Sequence, residues 1–257
     1  MTTAMPAVSR AEVVAVACAE AWRGDGEIVA SPFGTLPSIG ARLARLTFEP
    51  DLVLTDGEAA LMANTPSLSA PRTDFVLEAW LPYRRVFDVV WSGRRHVMMM
   101  ATQVDRYGNQ NISCIGDWAR PKTQLIGVRG APGNTVNHTT SYFVPAHTPR
   151  SFVESVDMVG GVGYDRARAA GAAAERYHEV RVVITNLGVF DFATADHAMR
   201  VRSLHPGVGR DEVVAATGFE LVFPAEIPVT RLPDAAELEL IREVIDPAAL
   251  RDKEMPG

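Results

Sequence analysis

Residues 27–55, EIVASPFGTLPSIGARLARLTFEPDLVLT, decide the fold. A short apolar run at 27–30 stops before Pro32, and a stretch with helical spacing of apolar residues follows from Leu36 to Leu46. A second short apolar run then extends from Asp51 to Thr55. Strand, helix and strand in this order are typical of a βαβ unit with parallel strands. We therefore predict an α/β fold with a mostly parallel central sheet flanked by helices.

The same kind of pattern extends in both directions from this unit. Ser9-Arg10-Ala11-Glu12 is a capping box that opens a helix ending at Gly24, and Asp234-Ala235-Ala236-Glu237 opens a final helix towards Val244. Further strands are expected at 97–103, 123–127, 180–185, 189–192 and 199–201, a strand-like apolar run at 152–159, and helices at 165–177 and 209–217. With no repeat and no linker, residues 1–257 are expected to form a single domain.

Charge and composition narrow the classes of partner. The 25 Lys and Arg residues against 31 Asp and Glu give a formal net charge of -6, which disfavours nucleic acid. No apolar stretch reaches the roughly 18 residues of a membrane helix, and the N-terminus lacks a signal-peptide pattern. Cys18 and Cys114 form no CxxC pair, so neither a disulfide framework nor a redox pair is expected. These features favour a cytoplasmic protein without membrane contact.

Cofactor and metal motifs are incomplete. The six histidines are dispersed and no HExxH pair occurs, so no metal site is expected. Gly160-Gly161-Val162-Gly163-Tyr164-Asp165-Arg166 lies between a strand-like and a helix-like stretch, as in a dinucleotide fingerprint. However, Arg166 occupies the third glycine position, and the next strand ends at Ile184-Thr185-Asn186 without an acidic residue for the ribose. We expect no bound cofactor.

The segment from Gly127 to His138 is the clearest candidate binding loop. Its clustered glycines would let backbone N–H groups approach an oxyanion or a phosphate. From this loop we predict that Gly127, Gly130, Asn134, Asn137 and His138 bind the substrate. Elsewhere, Cys114 could serve as a nucleophile, but a small buried thiol is the favoured interpretation.

Several motifs together resemble one known family over nearly the whole chain, the beta subunits of class I CoA-transferases. The resemblance is carried by residues 50–57 (PDLVLTDG), 103–109 (QVDRYGN), 184–190 (ITNLGVF), 204–208 (LHPGV) and 216–219 (ATGF). It implies a CoA-transferase-like α/β fold and an alpha-subunit partner of the same fold, giving an α2β2 heterotetramer. It also implies an acyl-CoA substrate bound between the two subunits, with CoA as part of the substrate.

Two departures from the family pattern are informative. The nucleophilic glutamate of the transferases is matched by Asp56, which is one methylene shorter, and a displacement of about 1 Å usually costs a large part of the rate. The Gly-x-Gly-Gly loop of the family reads Gly127-Val128-Arg129-Gly130, so an arginine replaces a glycine. Only Lys122 and Lys253 are lysines, and most arginines reflect coding bias, but Arg129 has a positional reason to be functional.

With these departures the chain resembles the beta subunits of the actinobacterial cholesterol ring-cleaving hydrolases. Those enzymes open the last steroid ring, a cyclohexenone carrying a carboxyl-CoA thioester, by adding water and cleaving a C–C bond. Adding water and cleaving the bond requires a base and donors to oxyanions, and we hypothesise that the partner supplies the main base. This chain would then contribute the glycine loop, Arg129 as a cationic stabiliser and Asp56 in a supporting role. For Asp56 a turn role before Gly57 remains open, and for Arg129 a surface or interface ion pair does. CoA transfer and a non-catalytic scaffold remain alternative functions.

Overall fold

The computed structural model describes residues 7–56 and 60–256. Its strands are β1 (Val29–Pro32), β2 (Val53–Thr55), β3 (Ala60–Met62), β4 (Leu77–Trp80), β5 (Arg95–Met100), β6 (Gln103–Val104), β7 (Gln110–Asn111), β8 (Cys114–Ile115), β9 (Thr123–Gln124), β10 (Thr139–Val144), β11 (Glu179–Thr185), β12 (Gly188–Asp191) and β13 (Arg200–Leu204). Nine of them form the central sheet in the order β13-β12-β11-β10-β5-β1-β2-β3-β4, and β6-β7 and β8-β9 form two small ribbons.

The middle of the central sheet is parallel and its edges are antiparallel. β2, β1, β5, β10 and β11 run in one direction, with Val29 opposite Val53 and Ala30 opposite His96. β3 and β4 extend one edge as antiparallel neighbours, and β12 and β13 extend the other. The prediction of a mostly parallel sheet is confirmed, and the two strands of the βαβ unit at 27–55 lie side by side in its parallel part.

Helices lie on both faces of the sheet. They are α1 (Arg10–Glu20), α2 (Thr35–Thr47), α3 (Tyr83–Ser92), α4 (Ala131–Asn137), α5 (Tyr164–Ala170), α6 (Ala172–Glu175), α7 (Arg210–Ala215), α8 (Ala235–Glu239) and α9 (Arg251–Glu254), with a 3-10 turn at Arg72–Asp74 and a π-helical turn at Leu240–Ile245. α1 and α2 bury one sheet face around Leu54, Met98 and Phe143. α4 packs on the other face, which includes Val97 and Tyr142.

Local sequence explains how α1 and α2 begin and how closely they pack. The Ser9 side chain accepts a hydrogen bond from the Glu12 N–H, and the Glu12 carboxylate accepts one from the Ser9 N–H, as the capping box predicts. α2 has no cap of its own, so the Glu254 carboxylate accepts hydrogen bonds from the N–H groups of Thr35 and Leu36. A Cβ at Gly40 would lie 2.6 Å from the Cys18 Cβ, so only glycine allows this helix pair.

Several predicted elements differ from the structure. Residues 152–159 form bends rather than a strand, and only Phe152 makes an isolated parallel bridge, with Val104. The predicted helix at 165–177 breaks at Gly171, whose φ of 91° no helix accepts, into α5 and α6. The predicted strand 97–103 ends at Met100. β9 lies in a ribbon with β8, so the glycine loop that follows it does not extend from the central sheet.

Buried histidines should make the fold sensitive to acid. Burial lowers the pKa of His138 to about 4, of His147 to about 3 and of His205 to about 4. Below pH 6.5 these histidines therefore bind protons in the unfolded chain but stay neutral in the folded chain. The stability that is present above pH 6.5 is consequently lost as the pH falls. Burial raises the pKa of Asp105 to about 6. In the folded protein this carboxylate therefore takes up a proton as the pH falls, which offsets about one of the protons bound by the unfolded chain.

We accordingly expect the free energy of unfolding to fall by about 3 kcal/mol between pH 6.5 and pH 5. Urea titrations at a series of pH values measure it directly. The variant His205→Gln retains a hydrogen-bonding group without a titration and should flatten the profile. A stability that stays constant over this interval would show that the histidines titrate normally in the folded protein.

Candidate active site

The topology of the sheet points to one edge as the site. The connection from β1 leads through α2 to β2 on one side, whereas the chain leaving β5 reaches β10 on the other side. In an open α/β sheet, ligands bind outside the carboxyl ends of the strands where the strand order reverses in this way. The crevice between the ends of β1 and β5 is therefore the expected ligand position.

Asp56 directly follows β2 at this carboxyl edge. Its side chain is only 7% exposed, and one carboxylate oxygen accepts a hydrogen bond from the Ala60 N–H at 3.0 Å. The other oxygen lies 3.8 Å from a guanidinium nitrogen of Arg72. The Asp56 N–H also donates to the Ala60 carbonyl at 3.1 Å, so Asp56 closes the β2-β3 connection. Residues 57–59, which include Gly57 of the predicted turn, lie outside the described residues.

A cleft of about 580 Å³ opens beside this crevice, at the carboxyl ends of β5 and β10. Met100, Ala101 and Val144 form part of its apolar wall, and Gln103, Thr148 and Ser151 add polar groups. Lys122 and Arg150 line it and are exposed. No sequence motif marks this cleft, because its lining comes from four separate segments, at 100–103, 115, 122 and 144–153. The only signal in the sequence was that Lys122 is one of two lysines.

The loop before α4 contains Arg129 in a conformation that suits glycine. Arg129 has a φ of 43° and is exposed, and Gly127 has a φ of 90°. The left-handed region costs a residue with a Cβ about 1–2 kcal/mol. The backbone at Arg129 is therefore strained, and a glycine at this position would remove the strain. Such a strained position is often functional. In the part of the chain that the structure describes, Arg129 forms no ion pair, so the pair proposed for it would need another chain.

Replacing Arg129 by glycine distinguishes the effect of the strained backbone on stability from the effect of the positive charge on turnover. Arg129→Gly should leave the free energy of unfolding within about 1 kcal/mol, since relief of strain offsets the flexibility of glycine. Loss of the cation should lower turnover of the assembled enzyme by about tenfold or more. Arg166→Ala, which removes an exposed arginine of α5, serves as the control. Normal turnover of Arg129→Gly would mean that this arginine has no part in the reaction.

The remaining predicted binding residues do not all reach the same edge. α4 runs away from Gly130, and Asn137 and His138 lie at the start of β10, in a second cleft with Trp91 and His178. The six residues of β10 span about 20 Å, so this cleft is at the amino edge, opposite Asp56. Asn137 and His138 therefore lie at the opposite end of the strands from Asp56.

Asn134 lies in the middle of α4 and is buried. Its side-chain oxygen accepts a hydrogen bond from the Arg95 guanidinium at 2.8 Å and lies 3.2 Å from His138 Nε2. Arg95 also donates to the Ser31 hydroxyl at 2.9 Å, and burial lowers the pKa of this guanidinium to about 10. Asn134 therefore orients the Arg95 guanidinium, which also bonds Ser31 of the neighbouring strand β1.

The glycines at 160–163 have a packing role. A Cβ at Gly163 would lie 2.3 Å from the Tyr107 carbonyl oxygen, and one at Gly161 would lie 2.9 Å from the Thr135 side chain. This loop therefore fits closely against residues 107–109 of the family motif. Among residues 7–56 and 60–256, no group of His, Cys, Asp or Glu side chains is arranged to hold a metal ion. Within the same ranges no helix has the length and apolarity required to cross a membrane.

Comparison with known proteins settles the family. No family model matches the chain. The chain is 54% identical over 255 residues to the cholesterol ring-cleaving hydrolase IpdB subunit of Rhodococcus jostii RHA1, covering 99% of both chains. The chain belongs to the IpdB family. A solved structure of Rhodococcus jostii IpdAB contains a chain that matches with a TM-score of 0.93 and 55% identity, covering 98% of this chain and all of that one.

The IpdB family lies within a wider group that includes the CoA-transferase subunits. The chain is 31% identical over 260 residues to the B-type subunit of the 3-oxoadipate CoA-transferase of Pseudomonas knackmussii, covering 93% of this chain and 94% of the relative. The resemblance stated from the motifs and the expected CoA-transferase-like fold are therefore both confirmed.

Proposed function

We propose that the chain is the B-type subunit of an acyl-CoA hydrolase that opens a ring of a steroid-derived substrate, in a complex with an A-type subunit. The observation that carries the proposal is the match of at least 96% of the chain to IpdB subunits at 54–55% identity. The geometry supports it, because a buried carboxylate, a strained cationic loop and a basic cleft are present without an obvious complete catalytic set. A partner that completes the set agrees with the IpdAB structure.

The reaction needs activated water and stabilised oxyanions. Water first adds across the conjugated enone, with its oxygen on the β-carbon and a proton on the α-carbon. Hydroxide then attacks the ring carbonyl, and the bond to the thioester-bearing carbon breaks. One fragment end becomes a carboxylate, and the other becomes a thioester enolate that takes up a proton. Within the proposal the partner supplies the main base, Arg129 and the glycine loop stabilise oxyanions, and Asp56 assists.

The basic cleft suits the phosphates of the CoA moiety. Lys122 and Arg150 place two cations around a cavity with an apolar wall at the sheet edge where ligands of this fold class bind. Guanidinium and ammonium groups hold phosphate through charge-assisted hydrogen bonds. No cofactor is needed beyond the CoA of the substrate. Buried free thiols at Cys18 and Cys114 suit a reducing compartment, so we place the enzyme in the cytoplasm.

The test is ring opening by the reconstituted two-subunit complex. A cyclohexenone carboxyl-CoA in isotopically labelled water should give an open-chain product that carries the heavy oxygen in its new carboxylate, as read by mass spectrometry. Labelled CoA offered with a second acyl donor should not exchange. Substantial exchange without ring opening would establish the transferase alternative, and turnover unaffected by every substitution at the carboxyl edge would favour the scaffold alternative.

The cleft gives a separate prediction. Lys122→Ala and Arg150→Ala should each raise KM for the acyl-CoA about tenfold with kcat nearly unchanged, because a phosphate contact is made equally in the ground and transition states. Arg120→Ala, which removes an exposed arginine two residues before Lys122 that does not line the cleft, is the matched control. If KM stays at its normal value in both cleft variants, the phosphates bind elsewhere.

A further inference from the structure

Arg95 is a buried cation whose bonding partners are all neutral. It is the first residue of β5 and is only 7% exposed. Its Nε donates to the Ser31 hydroxyl at 2.9 Å, and its Nη1 donates to the Asn134 side-chain oxygen at 2.8 Å. Burial lowers the pKa of the guanidinium, and no carboxylate of residues 7–56 and 60–256 counters this effect. The third nitrogen, Nη2, donates to no group in those ranges and remains in contact with solvent.

Two other arginines in the described part of the chain are buried, and each has an evident structural role. Arg251 pairs with the Asp246 carboxylate at 3.0 Å. Arg42 donates to the main-chain carbonyl of Pro66 at 2.9 Å and so holds the segment that follows β3 against α2. Arg95 bonds only a side-chain hydroxyl and a side-chain amide. Because a buried charge without a counter-ion lowers stability, its retention is typical of a residue that serves function.

The register of the sheet places the guanidinium near the carboxyl edge. Arg95 lies opposite Val29, whereas Ser31, which its Nε reaches, lies opposite Val97. The side chain therefore extends by two residue rises, about 7 Å, towards the carboxyl ends of β1 and β5. Ser31 directly precedes Pro32, the last residue of β1. The guanidinium consequently lies beneath the crevice between these two strands, where a ligand is expected.

The residue that holds Arg95 also connects it to the glycine loop. The Asn134 N–H donates to the Gly130 carbonyl at 2.9 Å, so Asn134 lies one helical turn from the loop that precedes α4. The Asn134 side-chain nitrogen lies 3.2 Å from Met99 Sδ, and the next residue, Met100, lines the basic cleft. Arg95 is therefore close to both the candidate oxyanion loop and the candidate CoA site.

The sheet beside Arg95 is accessible on this face. The residues of β1 and β2 that face away from α1 and α2 include Ser31, Val53 and Thr55, and all three are half-buried. Among the residues of α3, only Val90 is buried, so this helix does not seal the sheet. A small group of a ligand can therefore approach the guanidinium from the carboxyl edge.

A carboxylate is the anion that suits this position. Nη2 keeps both of its N–H donors, and a guanidinium binds a carboxylate through a planar fork. The proposed reaction converts the neutral ring carbonyl into an oxyanion and then into a carboxylate. A cation that is bonded only to neutral groups stabilises these charged species more than the neutral ketone. The phosphates of CoA carry more charge, and the exposed cleft of Lys122 and Arg150 suits them better.

We propose that Arg95 binds the carboxylate that forms when the ring of the substrate opens. This inference rests on the proposed function for the identity of the reaction. Hydroxide forms the new C–O bond at the ring carbonyl carbon, and the electrons of the broken C–C bond pass to the thioester enolate, which takes up a proton. The new carboxylic acid then loses its proton beside Arg95. The fold thus provides two cations for two oxyanions, with Arg129 and the glycine loop at the thioester and Arg95 at the former ring carbonyl.

The experiment measures how strongly the assembled two-subunit enzyme prefers a carboxylate. Pimeloyl-CoA represents the opened chain, and its methyl ester is the same ligand without the terminal charge. Isothermal titration calorimetry gives Kd for each of them and for CoA alone. We expect the unmodified enzyme to bind pimeloyl-CoA at least about tenfold more tightly than the ester, because only the carboxylate forms a charge-assisted pair with Arg95.

Two variants remove the uncompensated cation in different ways. Arg95→Met replaces it with an apolar chain, whereas Asn134→Asp places a carboxylate where Nη1 of Arg95 already bonds, so the cation is paired within the fold. Each should reduce the preference to about twofold or less and leave Kd for CoA alone within about twofold. Neither should lower the melting temperature of the complex, because neither leaves a buried charge unpaired. Arg94→Met, at the exposed neighbouring position, should retain the full preference.

The carboxylate preference separates binding from a structural role. If Arg95→Met lowers the melting temperature but keeps the preference, Arg95 is structural and the inference is wrong. If Arg95→Met keeps the preference but binds the A-type subunit more weakly, the partner supplies the anion, which also overturns it. An unmodified enzyme that does not distinguish acid from ester overturns it as well.

Two further outcomes are distinguishable. If Arg95→Met does not assemble, Asn134→Asp decides, since a full preference in that variant contradicts the inference and its loss supports it. If the complex opens no ring but prefers the carboxylate through Arg95, the proposed function fails and the assignment of the carboxylate to Arg95 stands.

Discussion

Replacing Asp56 with asparagine is expected to lower kcat of the assembled enzyme at least 100-fold while leaving the complex intact. The Asp56 carboxylate lies at the carboxyl end of β2, almost fully buried, and is positioned by the Ala60 N–H. A carboxylate held in this way can accept a hydrogen bond from the attacking water and orient it, and its loss removes an interaction of the transition state. Steady-state kinetics and ultracentrifugation of the same preparation measure the two quantities.

A matched control distinguishes this effect from a general change in charge. Asp51→Asn removes an exposed carboxylate just before β2 and should leave kcat unchanged. A structural role for Asp56 as a turn residue predicts a different result, in which Asp56→Asn lowers the melting temperature but leaves kcat per folded complex near normal. Asp56→Glu addresses CoA transfer, since it restores the transferase residue. We expect it to show no labelled-CoA exchange, because Arg129 still departs from the glycine loop.

Asp25→Ala is expected to destabilise the fold by about 2–3 kcal/mol, because the buried His96 ring loses its hydrogen-bond acceptor and Arg181 loses one of its two carboxylate partners. One Asp25 oxygen lies 2.7 Å from His96 Nδ1 and the other accepts a hydrogen bond from Arg181 at 2.8 Å. Burial raises the pKa of Asp25, but the hydrogen bonds from His96 and Arg181 outweigh it and lower the pKa overall. The ionised form therefore contributes stability that is lost as pH falls through this lowered pKa.

Chemical denaturation at pH 7 measures this cost, and Glu226→Ala, at an exposed position, is the control that should change stability by less than about 0.5 kcal/mol. Because the fully buried His96 and the half-buried Arg181 both lose a partner, the loss should exceed that of any single surface substitution. A change below about 1 kcal/mol would mean that water or another side chain replaces the carboxylate at little cost.

Asp25, His96 and Ser141 are hydrogen-bonded in the same sequence as the Asp, His and Ser of a serine hydrolase triad. Because the cluster is buried, it cannot have that function. His96 Nε2 lies 2.9 Å from the Ser141 hydroxyl on the side opposite Asp25. Burial lowers the pKa of His96, so the ring is neutral and can donate to Asp25 while accepting from Ser141. Yet Ser141 and His96 are completely buried under Trp22, and a nucleophile must touch its substrate. This cluster joins β5 and β10 to the end of α1, so its role is structural.

Much of the fold was predictable because the signals are local. Capping boxes at Ser9 and Asp234 marked helix starts that the structure confirms. β10 escaped prediction because Thr140 and Ser141 interrupt its apolar pattern, and Ser141 faces His96, which is distant in the sequence. β4 escaped because all four of its residues are exposed and alternate with no buried face.

The sequence by itself determined the α/β class, the family and the candidacy of Asp56 and Arg129, since these follow from local periodicity and from motifs at fixed positions. Only the tertiary structure decided which candidates share an edge. Strand direction sends His138 to the amino edge and Asp56 to the carboxyl edge, and no local pattern contains that direction. The cleft of Lys122 and Arg150 likewise exists only because β5 and β10, more than 30 residues apart, lie side by side.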